Sequence, residues 1–154
     1  MNADIKDIVQ ILSAALAPIT AIVAISLAWR QHRLESVKFR HQLYERRLAI
    51  FNSTMQLLAI VMRDADVQMA DLLKFLQETN QSYFLLGKDI ADYLDEIYKK
   101  GVELRGQEKR LHNTNLAEGE RTRLADQNVE LLNWFGRQLL VAREKFAPHL
   151  KLDR

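Results

Sequence analysis

The sequence predicts an all-α protein: one N-terminal transmembrane helix that continues into a long stalk helix, against which two or three further helices pack as a small cytoplasmic bundle. Three observations carry this. Apolar residues recur at three- and four-residue spacing over long stretches; glycine and proline are scarce, five and two in 154 residues, with no glycine before Gly87; and no segment alternates with the period of a strand. A chain of this length holds one ordinary domain plus an appendage. The organisation expected is a short extracytoplasmic N-terminus (1–7), a membrane helix (8–29), and a stalk and bundle (30–154).

The membrane helix rests on "IVQILSAALAPITAIVAISLAW", 22 residues from Ile8 to Trp29 without a charge. As a helix this run matches a hydrocarbon core of roughly 30 Å, and a buried core helix rarely stays uncharged for so long. The preceding "MNADIKD" is net acidic, which fits a cleaved signal peptide poorly. Arg30, Arg33, Lys38 and Arg40 follow the run closely, so the positive-inside tendency places the N-terminus outside and the remainder in the cytoplasm. These four residues are the expected contacts to anionic lipid headgroups. Ala14, Ala17, Ala21, Ala24 and Ala28 share one face and would let a second span approach, a route to a homo-oligomer.

Beyond the span, a three-four alternation of Leu34, Val37, His41, Tyr44, Leu48, Phe51, Met55, Leu58 and Met62 forms a coiled-coil-like heptad seam, which extends on paper through Ala65, Met69, Leu72 and Leu76. Phe39, Leu43, Ile50, Leu57 and Val61 widen the stripe, as in a helix inside a bundle. A single helix over 8 to about 63 is expected. Asp64 or Asp66 would cap a second helix near 67–79. Asn80 and Ser82 then form a turn around the cluster Tyr83 to Leu86, with Gly87 supplying backbone freedom. The next helix carries Ile90, Leu94, Ile97, Leu104 and Leu111 on one face. A loop over 112–120 precedes a last helix from about 120 to 147, with Leu124, Leu131, Leu132, Phe135, Leu139, Ala142 and Phe146 inward and Pro148 ending it.

The chemistry-bearing residues argue against catalysis. The chain has no cysteine, and His32, His41, His112 and His149 include no pair at the spacing that puts two metal ligands on one helix face. No cofactor, metal or catalytic residue is expected. Charge is uneven: 30–47 carry six Arg or Lys against two Glu, while 89–96 carry four acids and no base. The basic run lies too close to the bilayer for a nucleic-acid patch, so no nucleic-acid partner is expected. The acidic run (Asp89, Asp92, Asp95, Glu96) suits the start of a helix through its dipole. Its alternative use is as the carboxylate site of a membrane-tethered enzyme. A ligand sensor with a pocket lined by Tyr93, Trp134 and Phe135 is a further alternative. The expected contact surface for a protein partner is Phe84, Leu85, Gly87, Asp89 and Asp92.

The stretches "QLYERRLAIFNSTMQLL" (42–58), "FLLGKDIADYLDEIYKKGVEL" (84–104) and "KFAPHLKL" (145–152) resemble a widespread group of uncharacterised bacterial single-span inner-membrane proteins with a Phe-Leu-x-Gly motif. The group tends to have Phe-Leu-Phe-Gly where this chain has Phe84-Leu85-Leu86-Gly87, and an Arg-Tyr-x-x-Tyr element where this chain has Arg47, Leu48 and Phe51. The resemblance covers most of 27–152. It implies membrane anchorage and a helical cytoplasmic domain, and it brings no catalytic residue. The expectation is therefore a membrane-anchored, non-catalytic interaction or scaffold protein.

Overall fold

A computed structural model describes residues 25, 27, 29, 38–112 and 117–151. The chain divides into two compact units, 1–42 and 43–154. The described residues are all-helical, without a strand. Most of the expected span, 8–29, and with it Arg30 and Arg33, lies outside them. Ile25, Leu27 and Trp29 are described, and each is helical and exposed. Among the described residues no helix is long and apolar enough to cross a membrane.

Helix α1 covers 38–64, and its residues from 43 onward belong to the second unit. The unit continues with α2 (Met69–Thr79), α3 (Ser82–Leu86), α4 (Lys88–Leu111) and α5 (Glu118–Phe146). Four helices thus follow α1 where two or three were expected, because the Tyr83–Leu86 cluster forms a short helix of its own instead of a turn.

The centre of the unit is apolar and closed. Leu58 and Val61 of α1, Leu72 of α2, Ile97 and Leu104 of α4, and Phe135 and Phe146 of α5 are completely buried. Side chains of this size each contribute about 1.5–3 kcal/mol when removed from water. Helix α5 buries Leu124, Asn128, Leu131, Phe135, Gln138, Ala142 and Phe146, at spacings of three or four residues. In α4 the corresponding stripe includes Gly101, whose missing side chain is filled by Leu72 from α2. A Cβ at that position would stand 2.6 Å from Leu72 Cδ2.

The heptad seam of α1 turns out to border the core without forming its axis. Tyr44, Leu48, Phe51 and Met55 are only half-buried, and Met62 keeps 44% of its surface. Leu58 of the seam is completely buried, and beside it the buried line runs through Ile50, Thr54, Leu57 and Val61, one residue displaced. Thr54 hides in it because its hydroxyl donates to the Ile50 carbonyl at 2.8 Å, so burial leaves no polar group unsatisfied. The paper continuation of the seam past Met62 is broken by a turn. Ala65 adopts a left-handed φ of 53° and donates its N–H to Val61 O at 2.9 Å, which stops α1. Neither Asp64 nor Asp66 then caps α2. Asp64 pairs with Arg63 at 2.7 Å, Gln68 occupies the cap position without a side-chain bond, and Arg105 of α4 holds the turn by donating to Val67 O (3.0 Å) and Gln68 Oε1 (2.9 Å).

Gly101 and Gly106 lie on the same helix and make opposite predictions. Gly106→Ala meets nothing within 4 Å and is expected to stabilise the protein, by about 0.5–1 kcal/mol in urea unfolding. Gly101→Ala gains the same propensity but drives into the fully buried Leu72, and a net loss of about 1 kcal/mol or more is expected.

Candidate functional site

The Phe-Leu-Leu-Gly segment is built by one short helix whose two faces have opposite fates. At about 100° per residue, Ser82, Leu85 and Leu86 share one side of α3, while Tyr83 and Phe84 point away from it. Ser82 and Leu86 are buried, and Leu85 is half-buried against the core. Phe84 keeps 85% of its surface exposed and Tyr83 56%. Their rings meet edge to face, with centroids 5.5 Å apart.

Three devices hold this turn. Gly87, at φ 90° and ψ 175°, occupies a region closed to other residues, and it joins α3 to α4 without a spacer. Its N–H donates to Tyr83 O at 3.2 Å, and its carbonyl accepts from Ala91 N at 3.2 Å. From α1, Arg47 donates through Nε to Leu85 O at 3.0 Å and through Nη1 to His149 O at 3.3 Å. One side chain thereby fastens the exposed turn and the end of the chain to the same helix. Nothing in the sequence marks Arg47 for this role.

Asp89 and Asp92 follow at the start of α4. Both are exposed, and neither forms an ion pair among the described residues. Asp95 pairs with Lys99, and Glu96 is exposed. Asp95 borders a cleft of 200 Å³ between α2, α3 and α4, beside Leu76, Tyr83 and Tyr98. Phe84, Leu85 and Gly87 lie at the α3–α4 junction, and Asp89 and Asp92 are exposed on the first turns of α4. Lys38 and Arg40 are exposed on α1.

The pocket expected at Tyr93, Trp134 and Phe135 is not formed. Phe135 and Tyr93 belong to the core, at 0% and 5% exposure. Trp134 lines a groove of 510 Å³ between α4 and α5 with Lys100, Glu103, Gln107 and Arg137, and the Lys100 ammonium sits over its ring at 5.2 Å. Compared with known protein families, curated proteins and solved structures, the chain finds no match. The site must be argued from its own geometry.

A polar cluster that the sequence did not reveal lies at the α1–α2 turn. Asp66, Gln68, Arg105, Glu108, Lys109 and His112 border a cleft of 270 Å³. Asn128 Nδ2 donates to Glu108 Oε2 at 3.0 Å, and Glu108 Oε1 lies 3.3 Å from His112 Nδ1. These residues come from the α1–α2 turn, α4 and α5, and their spacing in the chain carries no signal. Among the described residues no three His, Asp or Glu are placed to hold a metal ion.

Tyr93 carries a buried hydroxyl without a hydrogen-bond partner. Burial pushes its pKa well above the ordinary 10.0, and the Glu96 carboxylate adds to the rise. The folded state thus holds the proton more tightly than the unfolded chain, so this contribution is intact below pH 10 and is lost as the pH climbs past it. In Tyr93→Phe, unfolding free energy is expected to fall less steeply above pH 10 than in the wild type, with a difference of at most about 1.4 kcal/mol per pH unit. At the turn, Gly87→Ala is expected to cost about 1–3 kcal/mol, read as a shifted denaturant midpoint, because alanine must adopt the glycine-only backbone angles.

Proposed function

We propose that this chain is a membrane-anchored, non-catalytic interaction protein of the bacterial inner membrane, whose helical unit presents the α3 turn to a protein partner. The observation that carries this is Phe84: a large aromatic, 85% exposed, on a turn fixed by Gly87 and by the Arg47 clasp. Scattered exposed apolar residues are ordinary, but an aromatic pair displayed on a rigid frame has the form of an interface anchor, since ordering it costs little on binding. The exposed Asp89 and Asp92 beside it give the surface a polar, acidic rim.

Anchorage is supported by the uncharged run from Ile8 to Trp29 and by the exposure of Ile25, Leu27 and Trp29. Arg30 and Arg33, nearest the span, would hold the cytoplasmic side against anionic headgroups. The resemblance to single-span bacterial proteins points the same way. The enzyme alternative draws little support, because Asp89, Asp92 and Glu96 stand exposed on a helix surface.

The absence of cysteine allows a clean topology test. The full chain is expected in the membrane fraction after alkaline carbonate washing. Asn2→Cys should react with an impermeant maleimide in intact spheroplasts, and Lys151→Cys only after lysis. Recovery of the chain in the soluble fraction, or labelling of Lys151→Cys from outside, would refute the anchored, N-out arrangement. Phe84→Ala should leave the unfolding free energy within about 0.5 kcal/mol while abolishing crosslinking of the unit to its partner.

A further inference from the structure

Resting on the anchored interaction reading, we infer that the partner of the α3 turn is a second copy of this chain: Phe84, Asp89 and Asp92 of one copy dock against Phe39, Lys38 and Arg40 of its neighbour.

Charge complementarity within one sequence carries the inference. The acidic run over 89–96 has no base, and the basic run over 30–47 has six against two acids. Asp89 and Asp92 are exposed and form no ion pair among the described residues, and the same holds for Lys38 and Arg40. Each set follows or brackets an exposed aromatic in the sequence. Phe84 is 85% exposed, and Phe39, between Lys38 and Arg40, is 61% exposed. Arg46, one heptad beyond Phe39 on the same helix face, is exposed as well. An aromatic flanked by acids on one surface and an aromatic flanked by bases on another form a matched pair: the rings supply apolar burial, and the charges set register and reject a like-charged surface.

A lipid surface fits the turn less well, because Asp89 and Asp92 would face anionic headgroups. Common anchorage favours a second copy. Chains inserted with one polarity in one bilayer stand parallel at raised effective concentration, and a contact weak in solution then becomes populated. The contact can be reciprocal, each copy offering both surfaces, as two-fold symmetry requires.

The test uses the full chain in native membranes with a photoreactive benzophenone amino acid replacing Phe84. Illumination is expected to give an adduct of twice the chain mass. The paired changes Asp89→Lys with Asp92→Lys, or Lys38→Glu with Arg40→Glu, should each lower its yield by about fivefold or more, and all four together should restore it. Restoration also separates lost recognition from lost folding. If the combined variant stays as low as either pair, the inference fails. An adduct with a different protein overturns the second copy as partner but leaves the interaction reading standing. No protein adduct from any variant overturns both.

Discussion

The guanidinium of Arg47 is the constraint on which the exposed corner of this unit depends. Its two donors reach Leu85 O and His149 O, so α1, the α3 turn and the end of α5 share one fastening. A hydrogen bond from a charged donor contributes about 1.5–3 kcal/mol. The planar fork also sets the angle between its two acceptors, which a lysine could not do. The consequence is geometric more than energetic. Leu85 and Leu86 are drawn inward, and at 100° per residue Phe84 must then face solvent.

How far the fold was legible depends on whether a helix announced its buried face by apolar residues alone. α5 did for the most part, because its stripe from Leu124 to Phe146 is apolar except at Asn128 and Gln138. α1 did not. Its buried line passes through Thr54, a polar residue made neutral by its bond to Ile50 O, so the eye slides to the apolar Met55 one position away. The α1–α2 break was hidden for a related reason. It is made by a left-handed alanine, Ala65, where neither glycine nor proline marks a stop. The arginine that secures it lies 38 residues away on α4.

The site divides along the same line. Gly87 and the aromatic cluster could be found locally, since a glycine after an apolar run signals a turn with special angles, and the angles are those only glycine adopts comfortably. Which aromatic faces outward was not local information. It follows from Arg47 contacts spanning 38 and 102 residues, and no pattern in the sequence encodes them. Tyr93 shows the reverse error. It resembled a pocket lining, yet it is a core residue with a stranded hydroxyl and Lys145 over its ring.

The start of α4 carries more negative charge than its own helix can use. Asp89 lies in the first turn, where the dipole favours it by roughly 0.3–1 kcal/mol, but that effect fades within a turn. Asp92 falls beyond it. It stands three residues from Asp89 and from Asp95 and four from Glu96, spacings at which like charges on a helix repel by about 0.2–0.5 kcal/mol each. Asp95 is relieved by Lys99, which acts on Asp92 as well. The repulsion that remains is one that a cationic surface brought against the cluster would lower. Departures from local consistency of this kind concentrate where a protein meets something else. Here the departure begins five residues after the most exposed aromatic of the unit.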